Sequence, residues 1–425
     1  MHVILVPVGT PGDVYPHIWL GRGLKARGHQ VTIITSGYFE PLVRRIGLDF
    51  CGLGTEKEYQ AVINDPNIWH PKRYFKVVAQ RVVPQMLPPT YEAIVERHVP
   101  NDTVIAACGF GFAARIAHDK LGIPLATVHL QPEMFRSEYE SPLVSGLPVR
   151  PWMPRLWKRA VFNLADALVA DRLLGPPINA FRSRLGLPPV RRILGEWWNS
   201  PQRVIGLFPD WFGRPQPDWP AQTRLTSFPL CDAGEVEPIP PGVEEFLAAG
   251  EPPVVFTPGS PIQNWDWFFD ASVKACVASG RRGILLTRDR TQVPRSLPAT
   301  VQHFDYVPFS FILGKSAALV HHAGIGTLAQ GLAAGIPQLV MPFTNDQPDN
   351  AARLLSLGVA LAIKPGDYHG TVVARCLNKL LGVKSVADAC RDAAVRLESA
   401  NPLSATCEII EGLLPSPARQ VARAS

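Results

Sequence analysis

The sequence predicts an α/β protein made of two similar halves, and three observations carry that expectation. Strand-like apolar runs alternate with helix-length segments from the N-terminus to "PLATVHL" (residues 124–130). The same rhythm resumes at "PPVVFTPGS" (252–260) and continues to "GVALAI" (358–363). Between them lies "PLCDAGEVEPIPP" (229–241), which is proline-rich, acidic and without periodicity. Alternating strands and helices imply parallel sheets with helices on both faces. At 425 residues the chain is too long for one ordinary core. The expected organisation is a first domain over 1–228, a linker over 229–241 and a second domain over 242–402, with a helix that packs back on the first domain and a tail over 403–425.

The elements follow in order. "VILVPV" (3–8) reads as a buried strand, and "HIWLGRGLKARGH" (17–29) puts Ile18, Leu20 and Leu24 at helical spacing before Gly28. Asp13 falls in the strand-to-helix loop between them, where open α/β sheets place ligand chemistry. An isolated aspartate there also suits a helix N-cap. "VTIIT" (31–35) is a second strand, followed by a helix around Tyr38 to Arg45 and a short strand near Leu48 to Cys51. "DTVIAAC" (102–108), the helix "FGFAARIAHDKLG" (110–122) and "PLATVHL" continue the series. From Gln131 to Asn199 the pattern loosens into a Trp-, Pro- and Arg-rich region, with "RPWMPRLWKRAVFNLADALVADRLL" (150–174) as an amphipathic helix candidate. "QRVIGLFPDWF" (202–212) reads as the last strand of the first half. The second half runs through "RGILLT", "VQHFDYV", "AALVHHAGIGT" and "PQLVMPFTNDQ". "SATCEIIEGLL" (404–414) is a helix, and "PSPARQVARAS" a frayed tail.

Bulk properties narrow the function classes. No apolar run reaches the ~18 residues of a membrane span, and the N-terminal run lacks the basic region of a signal peptide, so the cytoplasm is the expected compartment. The seven cysteines stand singly and form no C-x-x-C pair, which argues against a zinc site or a disulfide framework. The net charge of +6 comes without a dense Lys/Arg block, so no nucleic-acid partner is expected, whereas an anionic substrate or peripheral contact with a membrane surface fits.

The most informative stretch is "ALVHHAGIGTLAQGLAAGIPQLVMPFTNDQPDN" (318–350). A strand stops at two histidines and meets a Gly-rich turn that opens a helix. Gly324 and Gly326 allow a ligand close to the backbone, Thr327 adds a hydroxyl, and the helix N-terminus suits a phosphate. His322 can point an N–H at the anion even when neutral. A further buried strand ends at Asp346 and Gln347, a carboxylate and an amide suited to sugar hydroxyls.

With these residues the chain resembles the nucleotide-sugar-dependent glycosyltransferases of the GT-B fold, the UDP-glycosyltransferase-like enzymes. The resemblance implies two Rossmann-like domains facing each other across a cleft. It extends to "YVPFSFIL" (306–313), where Tyr306 would stack on the nucleotide base and Val307 would offer backbone contacts, and to "FTPGS" (256–260), where Ser260 would reach a phosphate. Many members carry a histidine in a "G-H-x-x-P" loop as the base that deprotonates the acceptor. A branch with sterol and glycopeptide-antibiotic glucosyltransferases has "G-D-x-x-P", matched here by Gly12, Asp13 and Pro16. "DPNIWHPK", "INAFRSRLGL" and "LFPDWFGRPQPDWP" look most like the rhamnosyltransferases of rhamnolipid synthesis. One position departs: members that use UDP-glucose often have a glutamate on the ribose eight residues after the phosphate histidine, and here that residue is Gln330. The preferred nucleotide, dTDP or UDP, therefore stays open, as does a role for His321.

The resemblance implies direct displacement at the anomeric carbon with inversion, moving rhamnose or glucose to a hydroxyl of an apolar small molecule or lipid. Asp13 would take the acceptor proton, while the Gly324–Thr327 turn, His322 and Ser260 stabilise the leaving diphosphate. There is no Asp-x-Asp metal motif, so neither metal nor cofactor is expected; the nucleotide-sugar is a co-substrate. Trp69, Phe110, Phe112, Met134, Phe135, Trp152 and Trp197 are read mainly as core, with a subset free to line an apolar acceptor pocket. A sugar-nucleotide epimerase shares this architecture but would need further acid/base carboxylates. A nucleotide-cofactor oxidoreductase fails on "GTPGDVYP", which lacks G-x-G-x-x-G, and on Thr35 and Ser36, which stand where an acidic ribose ligand belongs.

Overall fold

Strands β1 (His2–Val6), β2 (Gln30–Ser36), β3 (Asp49–Leu53), β4 (Thr103–Cys108), β5 (Leu125–His129), β6 (Arg203–Gly206) and β7 (Thr223–Leu225) form one sheet, in the order β3-β2-β1-β4-β5-β6-β7. Every pairing is parallel. The computed structural model describes residues 1–70, 73–144, 146–232, 238–259 and 265–414. In the second sheet β8 (Val254–Thr257), β9 (Gly283–Leu286), β10 (Val301–Phe304), β11 (Ala318–His321), β12 (Gln338–Val340) and β13 (Ala360–Ala362) lie in the order β10-β9-β8-β11-β12-β13. These are also parallel throughout. Numbered within its own half, the second sheet runs 3-2-1-4-5-6, the doubly wound Rossmann order, and the first runs the same way with a seventh strand added at its edge; in both the direction of winding reverses between the first and fourth strands.

The sequence reading ended the first sheet one strand early. The Thr223–Leu225 strand is short, only partly buried and flanked by proline-rich loops, so it carries no apolar run to betray it. The central strands do: all five residues of β1 and of β5 are buried, as expected for strands covered on both faces. Alternate residues of β8 feed different cores. Val254 and Phe256 join the cluster with Phe268 and Tyr368, while Val255 joins the one with Ile284 and Ile312.

The chain divides into two compact units, one of residues 1–229 together with the segment from Asn401, the other of Leu230–Ala400. The C-terminal helix Pro402–Glu411 packs on the Pro11–Ala26 helix within the first unit. Gly23 makes room for it, since a Cβ there would lie 2.4 Å from Leu403 Cδ1. Arg27 then donates from Nε (2.7 Å) and Nη2 (2.8 Å) to the two oxygens of Glu411, and His29 Nε2 lies 2.7 Å from Oε1. Opposed only by partial burial, these bonds hold the Glu411 carboxyl down at about 2.

Candidate active site

In the first unit the reversal of winding falls between β1 and β4, where the β1 exit carries Asp13. The loop expected there is shorter than its sequence suggests. The helix begins at Pro11, whose ring presets the helical φ, with Thr10 as N-cap and Asp13 at the third helical position. Asp13 is therefore not the cap itself; it is the reciprocal half of a capping box. Its Oδ2 accepts from Thr10 N (2.8 Å) and Thr10 Oγ1 (3.0 Å), and among the described residues Oδ1 has no partner. Gly9, at φ +138, leaves space for the carboxylate, because a Cβ there would lie 2.2 Å from Oδ2. Burial outweighs both Thr10 bonds and raises the Asp13 carboxyl above its ordinary value, although part of the side chain stays open.

Around it, His17 donates from Nδ1 to the Asp13 carbonyl (2.9 Å), and burial drops its ring to about 4. Cys108, at the end of β4, receives Val8 N–H on Sγ at 3.3 Å. Burial and then the Asp13 charge push its thiol up to about 12. Beyond β4 and β5, Phe110 packs edge-on against Trp198 (5.9 Å), and Phe135 packs against Trp219 (4.5 Å) and His129 (5.1 Å). Of the aromatics singled out in the sequence, Phe112, Phe135 and Trp197 are core; Trp152 is neither core nor pocket, being 80% exposed.

In the second unit the corresponding reversal lies between β8 and β11, and the histidine-glycine turn leaves β11 there. The helix spans Ile325–Ala333 with Gly324 as N-cap. Gly326 and Thr327 therefore sit in its first turn, whose N–H groups have no intrahelical acceptor. The His322 ring lies between two glycines: a Cβ on Gly324 would be 2.3 Å from its Nε2, and a Cβ on Gly259 would be 2.8 Å from Cε1. Its Nδ1 is buried without a partner among the described residues, and burial lowers the ring to about 4, so it is neutral near pH 7. Ser260 lies outside the described residues.

The paired histidines separate cleanly. His321 accepts Ala323 N–H on Nδ1 (3.1 Å) and donates from Nε2 to Gln338 Oε1 (2.8 Å). Burial, then the neighbouring His322, lowers it to about 3. Both ring nitrogens are committed to the strand end, so its role is packing and positioning. Gln347 differs in part from expectation, because its Oε1 already accepts from Phe343 N (3.0 Å) and Thr344 N (3.2 Å), leaving only its NH2 for a ligand. Asp346 accepts from Asn350 Nδ2 (2.6 Å). Val307 is buried, and among the described residues its backbone N–H and C=O make no hydrogen bond. Arg288 sits over the Tyr306 ring at 5.2 Å, and Gln330 is buried on the second turn of its helix. Among the described residues no group of three or more His, Cys, Asp or Glu side chains is placed to hold a metal ion.

Residues 3–139 match the glycosyltransferase family 28 N-terminal domain, and residues 278–411 match the C-terminal domain of erythromycin biosynthesis protein CIII-like proteins. The chain is 28% identical to the O-mycaminosyltylonolide 6-deoxyallosyltransferase of Streptomyces fradiae, covering 85% of each chain. It superposes on the solved spinosyn rhamnosyltransferase SpnG complexed with thymidine diphosphate at a TM-score of 0.70, with 17% identity, covering 97% of this chain and 100% of that one. The chain is a GT-B glycosyltransferase of the UDP-glycosyltransferase-like family. This glycosyltransferase is also 27% identical to the sterol 3-beta-glucosyltransferase UGT80A2 of Arabidopsis thaliana, over 86% of its own length and 58% of that protein's.

Sequence reasoning on the glycosyltransferase missed Thr10, Gly259, Arg288 and Asn350. Asn350 ties the two ligand loops of the second unit together, donating from Nδ2 to Ala323 O (3.0 Å) as well as to Asp346. Ala323 needs such restraint, since it sits at φ +71 between His322 and Gly324, a region that non-glycine residues avoid. The only available signal was the i, i+4 spacing of Asp346 and Asn350 on one helix face.

Proposed function

We propose that this glycosyltransferase moves rhamnose or glucose, with inversion and without a divalent metal, from a dTDP- or UDP-sugar to a hydroxyl of an apolar small molecule or lipid. The observation that carries the donor side is a neutral His322 fixed between Gly259 and Gly324 at the N-terminus of the Ile325–Ala333 helix. Helix N–H groups, the helix dipole and an imidazole N–H all suit a diphosphate that gains charge as it departs. Asp346 and the free NH2 of Gln347 suit the sugar hydroxyls, and Val307 and Tyr306 suit the base. The thymidine diphosphate bound by the spinosyn rhamnosyltransferase and the 6-deoxyhexose in the Streptomyces relative's name favour a dTDP-linked deoxysugar, as does the uncharged Gln330.

Asp13 divides its labour between its oxygens. Oδ2 is held by Thr10, and Oδ1 accepts the proton of the acceptor hydroxyl as that oxygen bonds to the anomeric carbon. The bond from the same carbon to the diphosphate oxygen breaks on the opposite face, and the nucleotide diphosphate leaves with the electron pair. The half-buried Phe110 beyond β4 and the sterol 3-beta-glucosyltransferase relative support an apolar acceptor.

Asp13→Asn tests the reading. The amide oxygen still accepts Thr10 N–H, so fold and donor affinity persist, while transfer falls by roughly a hundredfold to ten-thousandfold. Donor affinity from thermal shifts and steady-state transfer rates, measured on one preparation, decide it. Wild-type transfer by the variant would return Asp13 to its structural role in the capping box.

A further inference from the structure

The helix Arg155–Ala165 is built inside out. In a surface helix of a globular protein the apolar stripe faces the core and charge faces water. Here Lys158, Phe162 and Asp166, spaced i, i+4, i+8, are the buried row, at 2%, 7% and 2% exposed. Lys158 Nζ donates to Tyr139 O (3.1 Å), and Arg136 pairs with Asp166. The outward row, Leu156, Ala160, Leu164 and Leu168, is apolar, with Leu156 73% and Leu164 57% exposed. Trp157 is 66% exposed beside it, and Trp152 stands just ahead of the helix.

Within residues 150–172 the fully exposed charged side chains are all arginines. Arg150, Arg155, Arg159 and Arg172 are exposed along its borders. Arg155 stacks on the Tyr139 ring at 3.7 Å, and Arg159 pairs with Glu138. The two carboxylates within 150–172 are turned away: Asp166 is buried against Arg136, and Asp171 accepts the N–H groups of Arg192 (2.8 Å) and Ile193 (2.9 Å). Two indoles, a leucine row and an arginine border are the composition of a helix lying in a lipid–water interface, the indoles at headgroup depth and the guanidiniums on anionic headgroups. No helix among the described residues is long and apolar enough to cross a membrane, so docking would be peripheral.

We propose that the Trp152–Val169 face docks on the surface of an anionic lipid bilayer. The proposal is independent of the roles given to Asp13 and His322. In flotation with the full chain, vesicles of phosphatidylcholine and phosphatidylglycerol in equal parts capture the protein about tenfold or more better than phosphatidylcholine alone, and salt weakens capture. Tryptophan emission shifts to the blue on binding. The double substitution Trp152→Gln, Trp157→Gln lowers capture by about tenfold or more, with the melting temperature and transfer to a water-soluble acceptor unchanged. Leu156→Gln with Leu164→Gln, which leaves both indoles in place, does the same. Absence of vesicle binding by the wild type overturns the proposal, as does capture undiminished in both variants. Concentration-dependent self-association that the substitutions abolish, without vesicle binding, would assign the face to a second copy of the chain.

Discussion

Gly324→Ala isolates the donor site sterically. Gly324 has φ −64 and ψ 141, a conformation alanine adopts freely, so the backbone is not strained. The new Cβ would lie 2.3 Å from His322 Nε2, where ordinary contact begins near 3.4 Å. The ring must retreat by about 1 Å, and Gly259 closes the other side, with a Cβ position there only 2.8 Å from Cε1. Overpacking of this kind costs about 1–3 kcal/mol, a fall of a few degrees in Tm. A misplacement of about 1 Å at a ligand-positioning group costs on the order of a hundredfold, and loss of a hydrogen bond to a charged ligand roughly ten- to hundredfold. Donor KM and kcat at saturating acceptor, beside a melting curve, measure both effects. Gly326→Ala is the counterpart, because a Cβ there meets no protein atom within 4 Å. It leaves Tm unchanged or raises stability by up to about 1 kcal/mol, so a raised donor KM reports the ligand's approach to the backbone. Wild-type donor kinetics in Gly324→Ala would refute the His322 assignment.

Further expectations concern the base, the loop tie, the phosphate charge and the terminal helix. Because burial raises the Asp13 carboxyl, kcat/KM rises with pH through a value above the ordinary 3.8. The same shift stabilises the protonated form, a contribution lost as pH rises, so Asp13→Asn melts no lower than wild type at neutral pH. Asn350→Ala removes both loop ties, costing about 1–3 kcal/mol in stability and weakening donor binding although Asn350 is fully buried, as calorimetry and donor titration would show. Transfer survives excess EDTA; loss restored by magnesium would contradict a helix terminus offsetting the phosphate charge. Glu411, held at about 2 against an ordinary 4.5, contributes stability that is complete above 4.5 and lost as pH falls towards 2. The Tm of Glu411→Gln therefore falls less than that of the wild type over that window.

The sequence by itself determined the α/β class, the buried central strands and the residues on the loops after β1 and β11. Parallel strands covered on both faces must be continuously apolar, and helix-opening turns need glycine, proline and capping residues in a fixed order, so both leave local marks. Strand order leaves none. Only the tertiary structure placed Asp13 and the His322 turn at the points where each sheet's winding reverses, because that depends on which strands pair across long stretches of chain. It alone separated His321 from His322, through Gln338 and Ala323 on one ring and the two glycines on the other. It also moved Asp13 from a loop into the first helical turn. And it turned the helix after Trp152 so that Lys158 and Asp166 face in and Leu156 and Leu164 out, since periodicity marks an apolar face without saying which side of the helix the protein covers.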